Sequence, residues 1–354
     1  MDDTPKKVRR HDIDWLRVIL FALLIPFHVG IGVYWGAYDF VQPEHEFEGE
    51  KNRDALNNEF GEDVNNVYSF TGDNLISYIL TWMHEWRLAA LFMISGMGTA
   101  FAFKRRTWKL FLKERSKRLL IPMFVGIWTI TPLTLMMATK YFPGSFLEGI
   151  IVYFGGGIVL TLLMIVPLIS RLISLGHLWF IWSLFQYSLF LLPIFYLVRN
   201  YPEGRIARLL KTTFRVPFRL GPLLILPICL SISDIIFKPI MGEAIGFGYE
   251  WAWYLLIFFF GYLFIIDKEK YFYFIDHSRI HITVATLIST LAFIWIKSEE
   301  TKSGVPYIGG GWAGDEHKHL GIDYHTNMTL LSCFITSFHA WFWCLFVFTW
   351  GAKF

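Results

Sequence analysis

Arg17 and His28 are the two ionisable residues within the apolar part of the run Arg10–Tyr34, one near its entry and one deep inside it. An ionisable side chain at membrane depth is costly, so each is a functional candidate by default. On a helix, the eleven positions between them amount to three turns plus about 20°, which puts both on one face about 16 Å apart. Asp14, a near-turn before Arg17, joins the same stripe and can pair with the guanidinium. A histidine titrating near neutrality suits proton abstraction from a hydroxyl, and an arginine suits the negative charge that develops as the hydroxyl attacks. The bland alternative is a snorkelling arginine at the membrane edge and a core histidine bonded to a neighbouring helix.

A second apolar run contains Arg87, with His84 and Glu85 beside it, and these groups should face a protein interior or a water-filled cavity. Ser95 and Gly96 follow a little over two turns later. They could admit a ligand, although a serine and glycine in a membrane helix more commonly serve close helix packing. Arg115 and Arg118 are spaced to share a helix face at the end of a basic cluster. An arginine fork there could dock an anionic cofactor, or could simply contact anionic lipid. His177, Trp179 and Trp182 open a later span, where interfacial anchoring would account for the indoles. His317, His319 and His325 are too loosely spaced to indicate a metal site, and Cys229, Cys333 and Cys344 show no ligand or disulfide pattern. No metal is expected. Phosphate-loop, nucleophile-elbow, zinc-protease and dinucleotide motifs are missing.

The elements that must position these residues are membrane helices. With 354 residues, 55% hydrophobic, 19% aromatic and only 17% charged, the chain has too little polar surface for a soluble globule of its size. The fold expected is all-α, a polytopic integral membrane helix bundle with about eight to nine spans. It forms a single domain over 1–354, with outer loops at 39–74 and 297–325 and basic cytoplasmic loops at 104–118 and 199–219. Lys6, Lys7, Arg9 and Arg10 place the N-terminus in the cytoplasm, and the basic loops follow the same rule. The stretch Phe146–Ile169 is apolar enough to span. Counting it, however, would put the basic 199–219 segment outside, so it reads as re-entrant or interfacial. The formal net charge of +3 says little by itself, and the partners expected are the lipid bilayer and a small-molecule donor, with no nucleic acid.

Four motifs in order carry a family resemblance. They are Asp14 and Arg17 followed by ten residues and His28; Trp86 and Arg87 with Ser95 and Gly96; Arg115, Arg118 and Pro122; and His177–Phe180. Together they resemble acyltransferase family 3 of the membrane O-acyltransferases, and particularly its glucans biosynthesis protein C branch. The resemblance implies transfer of an acyl group from cytoplasmic acyl-CoA to a hydroxyl of a sugar or glucan outside a bacterial inner membrane. It implies essential roles for Arg17 and His28, contact of Arg115 and Arg118 with the CoA moiety, and succinyl or acetyl as the group moved. His28 would act as general base with Asp14, Arg17 and Arg87 around it; an acyl-histidine or acyl-serine relay is the covalent alternative. Ser95, His177 and Trp179 are the remaining substrate-side candidates. Family members usually have about ten spans, so a C-terminal helix pair is expected to be missing here.

Two other readings use the same residues. Arg17, Arg87 and His28 could line the pathway of a transporter or channel for an anionic solute, though inverted repeats and paired broken helices are not evident. A catalytically dead membrane assembly protein is the third reading, and acyl-CoA binding separates the first from both.

Overall fold

The computed structural model describes residues 11–27, 29–30, 75–138, 155, 178–212, 221–241, 249–303 and 327–351. Among them are eleven α-helices: α1 His11–Ala22, α2 Leu75–Lys104, α3 Trp108–Ala138, α4 Trp179–Phe190, α5 Leu192–Asn200, α6 Arg205–Thr212, α7 Leu226–Met241, α8 Tyr249–Ile266, α9 Lys268–His277, α10 Arg279–Ser303 and α11 Asn327–Gly351. No strand occurs among the described residues, and the chain is an all-α, multi-pass membrane protein. Among the described residues, four helices are long and apolar enough to cross a bilayer, or six if two pairs broken at a single residue each count as one span. Of the segments expected as outer loops, 39–74 and the 304–325 part of 297–325 lie outside the described residues, as does Phe146–Ile169 apart from residue 155.

Three segments expected as loops contain helix. α3 starts at Trp108 because Thr107 caps it, its Oγ1 accepting the Leu110 N–H at 3.4 Å, so most of the basic 104–118 segment is helical. α6 occupies the middle of 199–219, and α10 runs on through Lys297 to Ser303. Charge marks where a chain meets water, and helices continue past that level.

The helices form two compact units, with the division inside α2 at Ile94 and Ser95 and inside α7 at Ile235 and Ile236. In the first unit, α10 shows the pattern of a membrane helix most plainly. Ile280, Val284, Leu287, Ile288 and Leu291 form an exposed apolar stripe, while Thr286, Ser289 and Thr290 point to the protein side and bond backbone carbonyls. Thr286 Oγ1 donates to Ile282 O at 2.7 Å and to Phe342 O of α11 at 3.2 Å. Lipid tails are as apolar as leucine, so helices here associate through small residues and hydroxyls. At the head of α7 a π-helical turn covers Gly221–Ile225. In that register the N–H of residue 227 would serve the carbonyl of residue 222, but residue 227 is proline and has none. The buried indole of Trp341 donates to Pro222 O instead, at 2.8 Å.

In the second unit, Gly96 is where α2 meets α8. A Cβ at this position would lie 1.9 Å from Phe258 O and 3.1 Å from Tyr262 N, so only glycine lets the two backbones approach this closely. Arg199 closes the end of α2, donating to Phe103 O at 3.3 Å and to Arg106 O. α4 and α5 meet at 45°, with Pro193 in the first turn of α5 removing a ladder hydrogen bond at the bend. Met123, Ile127 and Leu178 form the core between α3 and α4.

Two stability outcomes follow. Gly96→Ala should cost about 1–3 kcal/mol through overpacking, read as a lower thermal midpoint of the detergent-solubilised protein; an unchanged midpoint would show that the helices do not meet this closely. Trp341→Phe should cost about 1–3 kcal/mol because it leaves the Pro222 carbonyl buried without its donor, and the same assay reads it.

Candidate active site

α1 ends at Ala22 for a local reason. Pro26 has no N–H for the Ala22 carbonyl and its ring crowds that carbonyl, so the ladder breaks there and a turn at Leu23 intervenes. The helical path still continues, with Leu23 N bonded to Ile19 O at 2.9 Å and Phe27 N to Leu23 O at 3.4 Å. Leu16, Leu20 and Phe27 face the protein, while Trp15, Val18, Ile19 and Ile25 are exposed and apolar, as a lipid-facing side should be.

The buried side of this segment runs antiparallel to α2. Arg17 Nη2 donates to Ile94 O at 3.4 Å, Phe27 stacks on His84 at 5.9 Å, and Gly30 abuts Leu80. Between these levels sits Arg87, 1% exposed, with its guanidinium carbon 3.6 Å from the centre of the Phe27 ring. Arg87 cannot shed its charge, and a guanidinium over an aromatic face gains attraction that grows as water is removed. Arg17 meets α2 seven residues further along, about 10 Å by helix rise. The predicted arginines of the first two spans therefore share one helix–helix seam at two levels. Such a seam suits an anion, or an oxygen that becomes one.

α2 has a second face. Trp82 and Trp86 meet Trp343 of α11, with ring centres 4.9 and 5.6 Å away, and Cys344 Sγ contacts Trp86 O at 3.6 Å. Residues 84 and 87 thus face α1, and residues 82 and 86 face α11.

The other predicted residues divide. Ser95 O accepts from Thr99 Oγ1 at 2.8 Å, and its neighbour Gly96 serves helix packing. Arg115 turns inward, its Nε donating to the buried Ser188 Oγ at 3.0 Å. Arg118 is 75% exposed, with Glu114 at 3.9 Å, so the two arginines turn to different neighbours. Trp179 packs beside the α3–α4 core and against Tyr254 of α8, with ring centres 5.9 Å apart. His28, His177, and the histidines at 317, 319 and 325 lie outside the described residues, as does the side chain of Asp14. No group of three metal-ligating residues gathers among the described residues.

Sequence reasoning passed over four buried ionisable groups: Asp234, Lys238, Lys297 and His339. Asp234 Oδ2 accepts from Ser337 Oγ at 3.0 Å, and Lys297 lies 5.8 Å from the Phe293 ring centre. His339 is fully buried and stacks on Phe293 at 4.3 Å and 4°. The rule that singled out His28 and Arg87, an ionisable residue within an apolar run, applies to each of them.

The family model described as an acyltransferase domain matches residues 10–354. No curated protein and no solved structure gives a match. The match takes in the α1–α2 seam and all the helices around it, and the chain belongs to acyltransferase family 3.

Proposed function

We propose that the chain is an O-acyltransferase that moves a succinyl or acetyl group from cytoplasmic acyl-CoA to a hydroxyl of a glycan outside a bacterial inner membrane, with its N-terminus in the cytoplasm. The observation that carries this reading is the Arg87 guanidinium held 3.6 Å over Phe27, the residue that immediately precedes His28 in the chain. The sequence therefore sets the base beside a residue that a fixed cation already covers. Acyl transfer to an alcohol needs both groups. The resemblance of residues 177–180 to the glucan branch favours succinyl and a glucan acceptor.

In this reading His28 takes the hydroxyl proton as the acceptor oxygen attacks the thioester carbonyl. Arg87 stabilises the oxyanion, and Arg17, with Asp14 one turn before it, holds negative charge at the second level of the seam. The C–S bond then breaks, the carbonyl re-forms, and the CoA sulfur takes the proton from His28. Arg118, being exposed, meets the CoA phosphates, and Arg115 combines that role with its bond to Ser188.

Three measurements test this reading, all following label from radioactive acetyl-CoA and succinyl-CoA into the glycan fraction of membrane vesicles. His28→Ala should lower transfer by about 100-fold or more at normal expression and thermal stability; full transfer by this variant would remove the base assignment. Arg87→Lys keeps the charge but loses the planar fork, and kcat should fall by about 100-fold. Arg118→Ala removes only an exposed ion pair, worth at most about 1 kcal/mol, so KM for acyl-CoA should rise several-fold at an unchanged thermal midpoint. An unchanged KM would place the CoA site elsewhere.

A further inference from the structure

Arg87 is covered by Phe27 on one side of α2, but its backbone is fixed from the other side. Trp86, the residue before it, is almost wholly buried, and its indole N–H has no hydrogen-bond partner among the described residues. Stacking therefore sets the orientation of that ring, at 5.6 Å and 22° to Trp343. Trp343 is itself tied down, its Nε1 donating to Thr290 Oγ1 of α10 at 2.9 Å. Thr290 Oγ1 in turn donates to Thr286 O at 2.7 Å, which fixes the acceptor in place. The next residue of α11, Cys344, reaches the Trp86 carbonyl with its sulfur at 3.6 Å. Residue 86 is thus held by ring and by backbone from one turn of α11.

We propose that Trp343 is a positioning residue for Arg87, acting through Trp86 and anchored by Thr290. A guanidinium that stabilises an oxyanion must lie within a fraction of an ångström of its working position, and small misplacements there cost rate steeply. The Phe27 ring limits how far the Arg87 fork can move on one side. It does not fix the rotation of α2 about its own axis, and a wide ring stack at the preceding residue does. Trp82 adds a second contact on the same face, at 4.9 Å and 78° to Trp343. The inference rests on the reading of Arg87 as the oxyanion-stabilising cation, and the test separates the two.

The experiment measures kcat and KM for acyl-CoA in vesicles carrying the full chain, for Trp343→Phe and Thr290→Val, each alone and combined with Arg87→Lys. Thr290→Val keeps the side-chain shape and removes the acceptor of the Trp343 N–H together with the hydroxyl's own local bond to Thr286 O, so it keeps the test alive if Trp343→Phe folds poorly. The expected result is a fall in kcat of roughly 3- to 10-fold for each single variant, short of the 100-fold that a full misplacement can reach, with KM unchanged. In the Arg87→Lys background the same substitutions should have almost no further effect, because the group they position is already lost. Equal fold losses in both backgrounds would overturn the positioning role and leave a merely structural one. Full activity of Arg87→Lys by itself would instead overturn the catalytic reading on which this inference rests.

Discussion

A permanent cation buried among helices is the constraint on which the first unit depends. Arg87 is buried among membrane helices and cannot neutralise itself by losing a proton, so its surroundings must supply what water would have. Part of that supply is the Phe27 face 3.6 Å away. The contact needs the helical path of α1 to continue past the Pro26 break, and it needs α1 antiparallel to α2 in the register shown by Arg17 with Ile94 and Gly30 with Leu80. A slip of one turn would take the Phe27 face away from the buried charge. The cation thus sets the register of the seam as well as any chemistry performed there.

The rest of the packing follows from the solvent. Because burying leucine against leucine gains little in a bilayer, the close contacts are made where side chains are smallest or where a hydroxyl reaches a backbone carbonyl. Gly96 against the α8 backbone is the extreme case, and the threonines of α10 are the commoner one. The same economy explains why the basic segments are not loose. Arg199 closes the end of α2, and Arg106 pairs with Glu114 at 2.9 Å, which ties the start of α3 to the turn before it.

Composition and the placement of Arg87 were legible in the sequence because both are local: a run is apolar or it is not, and a charge inside it stands out. The close-packing role of Gly96 was legible for the same reason. The partners were not. Nothing in residues 75–104 announces that Trp82 and Trp86 would meet Trp343, since that pairing joins positions some 260 apart in the chain. Arg115 and Arg118 share a spacing, yet one serves Ser188 and the other faces outward, because spacing gives a common face and not a common neighbour. Positive-inside reasoning drew loops at 104–118 and 199–219, where charge and helix coexist.

α11 shows why a long-range element decides the site. Several of its residues make polar contacts with other elements: Ser337 donates to the buried carboxylate of Asp234, Trp341 to the carbonyl that Pro227 orphans and Trp343 to the Thr290 hydroxyl, and Cys344 Sγ reaches the Trp86 carbonyl. Each bond alone is worth about 1 kcal/mol, and a buried partner left unmet costs about 1–3 kcal/mol. A helix that makes these four contacts at once has a single register in which all are kept, since sliding it by one residue rotates every donor by about 100°. The rigidity that results is specific to direction and depth. The role proposed for Arg87 on the adjacent helix requires that, and apolar packing alone, indifferent to rotation in a lipid-like medium, does not provide it.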